Sequence, residues 1–519
     1  MIFNINLMHF LKKYWEEKPL LFILILAGIV RLLAVVFSKG FGMQDDHFLV
    51  IEPAQMLVDN CSDWLPGHSY ENMPTGHSWF YLGLHYLLFL FLKFINITDP
   101  QEKMFIVRFL HALFSLIIVS LGFKITQKLS DLKTAKQVGL LLALFWFIPF
   151  LSVRNLVEIV CIPFLFIGIW KIIKYKNKNK SIFYYIITGF ILGLSISVRY
   201  QLALFVGGII LAMLIQKEWK KSIYIAFGSI LSFILIQGII DYYIWGHPFA
   251  EFTEYVRYNF IHKYDYLSSP WYSYILLILG LLIPPVSIFL FFGFFKTWKK
   301  HLLIFLPCFI FLVFHSCFPN KQERFILPIV PFVIMLGVIG WNEFIEKSKL
   351  LKKSKYILKY SWILFWVINL MLLPVISTTY SKKSRVESMV YLSKYKNIEY
   401  LLLEDSNNGK AKMPPRYYIK QWVNYYDVSK KSPVDDFIIK KNKQSSNAHR
   451  FILFFGEENI KKRIKNTKNA LSLDLKFETK IKSGFIDRVM YKLNPNNRNQ
   501  TIFIYRIVSY TKPPEVKLF

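Results

Sequence analysis

Gln44-Asp45-Asp46-His47-Phe48 sets two adjacent carboxylates just after the first long apolar run of the chain. Paired acids at a membrane surface can serve as a general base or bind a cation, and partial burial would raise a carboxylate toward the working pH range. The same residues also read as a helix start, with Asp45 capping a stretch 47–58 that Pro53 weakens. A second group is Arg154 and Glu158, four apart, which on a helix would share one face and pair. Arg199 lies in a turn between two apolar runs, where it could also simply snorkel, and Asp241 lies at the end of another run. Ionisable groups bordering apolar helices are costly to keep, which makes them functional candidates. The densest group is His315-Ser316-Cys317-Phe318-Pro319-Asn320-Lys321-Gln322-Glu323-Arg324-Phe325. Lys321 and Arg324, with Glu323 between them, offer a point charge and a bidentate fork suited to a lipid-linked phosphate.

The elements that must hold these residues are apolar runs of membrane-spanning length. A run of about 20 apolar residues crosses a bilayer as a helix, because its backbone must pair internally. Such runs fall near 19–38, 77–97, 104–126, 136–152, 157–174, 182–198, 200–216, 222–244, 271–295, 301–318, 325–345 and 356–377. Lys-rich loops at 124–136, 174–180, 217–221, 296–300 and 346–355 belong on the cytoplasmic side, as does the basic N-terminus. This alternation allows one crossing between residues 76 and 124. The 77–97 run is therefore expected to lie along the outer surface, as a juxtamembrane or re-entrant helix, which leaves about eleven crossings. The outer loops are then 39–103, 152–156, 198–200, 245–270 and 318–324, and the candidate groups lie in them or at the outer ends of the adjoining runs.

Composition agrees with this layout. The 519 residues are 54% hydrophobic and 18% aromatic, and the pattern of long apolar runs stops after residue 377. Residues 378–519 have a soluble composition, with strand-like runs at 400–404, 451–455 and 502–507 and a polar helical stretch at 457–470. They are expected to form a small α/β domain outside the membrane. The net charge of +31 is spread over short loops and the tail, which argues against nucleic acid as a partner and fits the inside-positive bias or attraction to anionic lipid. Cys61, Cys161, Cys308 and Cys317 lack paired spacing, three of them lie in or beside apolar runs, and those read as packing residues. There is no metal-spaced cluster, no internal repeat and no cleavable signal pattern. The first run is long enough to stay as an anchor.

Several of these motifs, in order and in register over roughly residues 25–345, resemble glycosyltransferase family 22 of the GT-C superfamily, the mannosyltransferases of lipid-linked oligosaccharide and GPI-anchor assembly. That family's first loop typically reads H-P-D-E-x-F-Q, then E-P-A-H. Here the sequence is Met43-Gln44-Asp45-Asp46-His47-Phe48-Leu49, then Glu52-Pro53-Ala54-Gln55. Asp63-Trp64 resembles the family's E-W, and His77-Ser78 stands where it often has R-S. Residues 154–158 resemble its second-loop segment. Asp241, Gly246, Asn259 and Pro270-Trp271-Tyr272 resemble its D-x-x-x-Y-G…F-N…P-W-H, and residues 320–325 its H-K-E-x-R-F. Met43, Gln44, Gln55, Asn320 and Gln322 depart from the pattern. Together the departures describe a divergent member and point to a bacterial inner membrane, or to the endoplasmic reticulum if the source is eukaryotic.

The resemblance implies a GT-C fold: an all-α polytopic domain over 1–377, with outer juxtamembrane helices in 39–103, followed by the α/β domain at 378–519. It implies an inverting transferase that moves a sugar, with mannose the first expectation, from a polyprenyl- or dolichyl-phosphate donor to a glycan or glycolipid acceptor. No metal or other cofactor is implied. In this reading Asp45 is the general base, with Asp46 beside it. Lys321, Arg324, Arg154 and Arg199 meet the donor phosphate. Glu52, His77, Glu158, Asp241, His315 and Glu323 orient the acceptor or the site. The rival from another class is a transporter or flippase of lipid-linked sugars. It would carry charges near mid-membrane in broken helices, and Arg31 and Pro284-Pro285 are the features that favour it.

Overall fold

The computed structural model describes residues 12–61, 74–176, 178, 180–265, 268–348, 355–406, 411–428, 448–494 and 499–510. Asp63-Trp64 of the motif comparison, and Lys349, Lys352 and Lys353 of one basic loop, lie outside the described residues. The chain divides into two compact units. One comprises residues 1–37, 56–91 and 105–378, and the other 38–55, 92–104 and 379–519.

The first unit is helical. Among the described residues, five helices are long and apolar enough to cross a membrane: Pro19–Phe37, Pro100–Leu129, Trp219–Trp245, Glu323–Lys347 and Tyr356–Ser377. A sixth candidate is the pair Ser273–Leu281 and Val286–Lys296, bent by 120° at Pro284-Pro285. Shorter apolar helices are Trp79–Phe94, Ile182–Val198, Leu202–Ile215 and Leu302–Cys317. Helix-to-helix contacts use small residues, as expected where lipid and side chains are equally apolar and close backbone approach supplies the attraction. A Cβ built on Gly189 would fall 2.0 Å from the Ile225 carbonyl, and one on Gly228 would fall 2.0 Å from that of Ile186. Gly293, Gly337 and Gly340 bring Val286–Lys296 equally close to Val330–Lys347. In the latter helix every residue from Val330 to Trp341 is buried. It is the inner pillar of the bundle.

Arg31 has a structural role in this bundle. It is fully buried in Pro19–Phe37, and its Nε donates to the Ser115 hydroxyl at 2.8 Å. Its other nitrogens donate to the carbonyls of Ala27, Leu142 and Ala143 at 3.2–3.3 Å. Leu142 and Ala143 end the Leu132–Leu144 helix, where carbonyls lack intrahelical partners and a cation is favoured. Arg31 therefore caps a neighbouring helix. Among the cysteines, Cys161 and Cys308 are buried as expected, whereas Cys317 is exposed at its helix end.

The second unit contains a five-stranded mixed sheet with strands β1 (Ile398–Asp405), β2 (Asn424–Asp427), β3 (His449–Phe455), β4 (Leu473–Ile481) and β5 (Ile502–Tyr510), in the order β2-β1-β3-β5-β4. β1 is parallel to both β2 and β3, and β5 runs antiparallel to β3 and β4. The three strand-like runs of the sequence are β1, β3 and β5, and the polar helix is Ile460–Ala470. The sequence reading missed β2 and the edge strand β4, and also helices Lys383–Leu392 and Phe485–Leu493. Tyr400, Leu402, Ile452, Phe454, Leu473 and Ile507 form the core of one face. Residues 38–55 fold with this unit: the Lys39 carbonyl accepts from the Ser381 N–H at 3.0 Å, and the Ser38 hydroxyl donates to the Thr379 carbonyl at 3.2 Å.

Candidate functional site

The candidate residues fall into one group in each unit. In the second unit, Asp45 and Asp46 occupy the short helix Gln44–Asp46, which runs into a π-helical turn, His47–Ile51, and on into Glu52–Val58. The N-cap is Met43, so Asp45 lies inside the first turn and does not cap the helix. Carboxylates are stabilised there by the partial positive charge of the unpaired N–H groups. The wide turn also absorbs Pro53, which has no N–H to donate. Asp46 is buried and Asp45 half-buried.

Aromatic stacking holds this segment in place. The His47 ring is sandwiched between Phe41 (4.5 Å, 16°) and Tyr418 (5.6 Å, 8°). Burial pushes the His47 pKa down, against the pull of Glu52, so its imidazole packs as a neutral plate. Glu52 Oε1 accepts from the Tyr417 backbone N–H at 3.0 Å and lies 3.6 Å from His47 Nε2. Glu52 thus fastens the turn to the 415–419 segment. Lys382 lies over the Phe41 ring at 4.4 Å and donates to the Gly42 carbonyl. Burial holds the Arg385 guanidinium down at about 10, and it donates to the Met413 carbonyl.

In the first unit, Glu158, Arg199 and Arg324 converge. Arg199 Nη2 is 3.1 Å from Glu158 Oε1, and Arg324 Nε is 3.6 Å from the same oxygen. All three are buried. Both guanidiniums also lie against the Phe325 ring, at 5.3 and 5.6 Å, a favourable cation–π arrangement. The buried His315 ring is 6.3 Å from Phe325, and its Nδ1 faces the Phe311 carbonyl at 2.8 Å. Arg324 Nε donates to Gln322 Oε1 at 2.9 Å, and Lys321 Nζ donates to the Phe318 carbonyl at 2.7 Å. The 318–322 turn is held by the Tyr274 hydroxyl, which donates to the Gln322 carbonyl at 3.0 Å, and by a strand-like bridge between Asn320 and Ser268. Glu323 is exposed.

The helical pairing of Arg154 with Glu158 is corrected by the backbone. The chain breaks between Ile148–Ser152 and Val157–Val160, with Leu156 extended, so the two residues do not share a helical face. Arg154 instead stacks on Phe150 at 4.5 Å. The partner Glu158 does find is Arg199, which follows the Ile182–Val198 helix.

Beside this cluster is a network that sequence reasoning half saw. Asp241 Oδ1 accepts from Gln237 Nε2 at 2.7 Å, and Oδ2 accepts from the Glu251 N–H at 3.0 Å. The Glu251 carboxylate accepts from the N–H groups of Gly76 (2.6 Å) and His77 (3.1 Å), the Thr75 hydroxyl (3.3 Å) and the Trp79 indole (3.0 Å). Ser78 donates to Gln237 Oε1 at 2.8 Å. His77 thus contributes its backbone to the network, and its ring turns back to the Thr75 carbonyl at 3.1 Å. Burial raises Glu251 to about 7, and the neighbouring Asp241 also pushes it up, against the pull of the hydrogen bonds from Trp79, Gly76 and His77. Glu251 and Gln237 were not singled out in the sequence. The available signal was an acid ten residues past Asp241, beyond the Gly246 turn. Tyr255 joins the arginine cluster from the same helix: burial raises its hydroxyl, opposed by the Arg199 charge and a hydrogen bond with Gln201.

Chemically, the first unit supplies a preplaced cation cluster suited to a phosphate, and the second an acid turn suited to a proton. The Alg9-like mannosyltransferase family model matches residues 20–420. The "Probable Dol-P-Man:Man(7)GlcNAc(2)-PP-Dol alpha-1,6-mannosyltransferase" of Schizosaccharomyces pombe is 29% identical over 180 residues, 33% of this chain and 33% of that protein. GPI mannosyltransferase 3 of Saccharomyces cerevisiae is 30% identical over 144 residues, 24% of this chain and 23% of that protein. The chain therefore aligns with no more than 33% of either relative's length. Among solved structures, ArnT from Cupriavidus metallidurans bound to undecaprenyl phosphate matches with a TM-score of 0.61 at 12% identity, covering 95% of this chain and 99% of that one. The oligosaccharyltransferase AglB from Archaeoglobus fulgidus, in complex with an inhibitory peptide and a dolichol-phosphate, matches with a TM-score of 0.50 at 10% identity, covering 85% and 70%. At such identities the likeness is one of fold, the GT-C fold. The motifs in register, the helical bundle followed by a small sheet, and a family match across residues 20–420 lead to one assignment: this chain belongs to the Alg9-like mannosyltransferase family.

Proposed function

We propose that the protein is an inverting membrane glycosyltransferase. It takes a sugar, with mannose the first candidate, from a polyprenyl- or dolichyl-phosphate donor and passes it to a hydroxyl of a glycan or glycolipid on the non-cytoplasmic face. Asp45 takes the proton of that hydroxyl, with Asp46 beside it. The oxygen attacks the anomeric carbon from the side opposite the phosphate, the bond from that carbon to the phosphate oxygen breaks, and the lipid phosphate leaves as an anion. Arg199 and Arg324, with Lys321 and Arg154, stabilise that anion. Groups fixed before the reaction stabilise a developing charge without reorganisation. The observation that carries the reading is the convergence of Arg199 and Arg324 on Glu158, in a chain of a mannosyltransferase family. The undecaprenyl phosphate and dolichol-phosphate named in the ArnT and AglB structures support a lipid-phosphate donor.

The topology we propose has eleven crossings, with residues 1–377 as the transferase domain and 378–519 outside the membrane. In it, Trp79–Phe94 lies on the outer side. Support comes from the two ends of that helix. Residues 75–79 are tied to Glu251, in a loop the Lys-rich segments put outside. Residues 92–104 fold with 379–519.

The test is transfer by purified protein from a panel of radiolabelled polyprenyl-phosphate sugars to lipid-linked glycan acceptors. The 120° bend between Ser273–Leu281 and Val286–Lys296 is the feature that favours a flippase. Movement of a labelled lipid-linked sugar across vesicles, without transfer, would establish that reading in place of ours.

A further inference from the structure

In the C-terminal sheet, β1 lies between β2 and β3 and is parallel to both. The chain leaves β1 to one side for β2 and crosses to the other side for β3. Connections that part in this way leave a crevice beyond the carboxyl ends of the two strands, where open α/β sheets bind ligands. That point is marked by Ser406 and Gly456, the residues that follow β1 and β3. The Ser406 N–H donates to the Phe455 carbonyl at 3.0 Å, and Gly456 lines a cavity of about 490 Å³, within the usual size of small-molecule sites.

The cavity is built, and most of the side chains that line it are polar or charged. Gly456 has φ +89°, and a Cβ there would fall 2.3 Å from Ser406 Oγ, so a larger residue would close the floor. Arg463 pins the loop after β3. It donates to the carbonyls of Phe455, Gly456 and Glu458 at 2.8, 3.0 and 3.0 Å while paired with Glu404. The floor includes Asn499, Gln500 and Thr501, all buried. Gln500 Nε2 reaches Ser406 Oγ at 3.4 Å. Its buried Oε1 has no hydrogen-bond partner among the described residues, a costly condition that a ligand donor would relieve.

Charge settles the rest of the ligand. The two acids of the lining are engaged: Glu457 pairs with Lys480 at 2.9 Å, and Glu458 accepts from the Tyr491 hydroxyl at 2.7 Å. Lys482, Arg488 and Lys492 give the exposed rim its surplus of positive charge. The orphaned acceptor calls for a hydroxyl, and the rim calls for an anion. A bare phosphate or a neutral sugar meets only half of this. We propose that the cavity binds an anionic saccharide, with ring hydroxyls on the Gln500 floor and a phosphate or carboxylate against Lys482, Arg488 and Lys492.

The test is calorimetric titration of the full-length protein in detergent at low salt. The probes are mannose 6-phosphate, a glucuronate-containing disaccharide, mannose and inorganic phosphate. The first or second probe should bind at least tenfold more tightly than the last two, and whichever binds names the anion. The combined variant Lys482→Met, Arg488→Met, Lys492→Met changes exposed side chains and should keep the fold. It should lose at least tenfold in affinity, whereas Arg324→Met, in the transferase cluster, should leave binding unchanged. Binding that is lost only in Arg324→Met, that is insensitive to the triple variant, that inorganic phosphate matches, or that no probe shows would overturn the proposal. Loss of transfer with this binding intact would count against the proposed reaction and leave this site standing.

Discussion

Arg199 and Arg324 reach a single oxygen of Glu158, at 3.1 and 3.6 Å, and lie against the same face-forming ring, Phe325. One carboxylate between two buried guanidiniums leaves a net positive charge where water is scarce. Glu158→Gln would leave the two cations facing each other, and removing one partner of a buried ionic group costs about 3–5 kcal/mol. Arg324→Met keeps the Arg199–Glu158 pair and should destabilise less. Thermal unfolding of both variants in detergent checks the order, and an unchanged midpoint for Glu158→Gln would show that the carboxylate does not hold the cluster.

Asp45→Asn preserves shape and the helical first turn but cannot take a proton. Turnover should fall about 100-fold or more with folding intact, the scale of general-base catalysis. Normal turnover by the purified variant would remove Asp45 from the mechanism.

Lys321→Met and Arg324→Met should each reduce kcat/KM for the lipid-phosphate donor by about 100-fold, the scale of losing one preplaced donor to a developing anion. The Lys321 variant loses one bond to the Phe318 carbonyl, so its unfolding temperature should stay near that of the parent. If both variants used the donor normally, the turn would be structural only.

Glu251 gives a pH dependence of stability. Its pKa is raised from 4.5 to about 7 in the fold, so between those values the folded protein holds a proton the unfolded chain has released. This contribution is fully present below pH 4.5 and is lost as pH rises to about 7, on the order of 3 kcal/mol in all. Unfolding midpoints from pH 4.5 to 8 should show that decline in the parent and a flatter profile in Glu251→Gln. Parallel profiles would mean the carboxyl titrates normally.

With the four native cysteines replaced, the proposed topology predicts that a single cysteine at Thr98 labels from outside with an impermeant thiol reagent. One at Lys133 should label only after the membrane is opened. These positions spare Asp99 and Asp131, which accept from the backbone N–H groups of Gln101 and Thr134 and so cap the helices that follow. Labelling at 133 from outside, with 98 protected, would make Trp79–Phe94 a span.

The legible parts of the sequence were those with local causes. Long apolar runs became helices because a lipid-facing backbone has no other way to pair. β1 and β3 showed as short apolar runs because both are covered. β4 was missed because Lys476, Phe477 and Lys480 are exposed on this edge strand and its charged residues hide the apolar alternation. In the site, Lys321 and Arg324 could be read from their density in one short turn. The pairing of Glu158 could not. Spacing favoured Arg154, but an extended Leu156 cancels the helical register, and Arg199 arrives from a separate helix. Glu251 escaped because its four donors come from residues 75–79, a contact no local pattern encodes.

The anchoring of the Asp45 turn also has a consequence in time. Asp45 is translated long before Tyr417 and Tyr418, whose stacking and backbone bond clasp the turn that follows it. The acid turn cannot set while the bundle is being threaded into the bilayer. A nascent chain stopped before Tyr417 would already hold the apolar helices up to Tyr356–Ser377 and still lack the clasp on this turn, so the turn sets only after they are made.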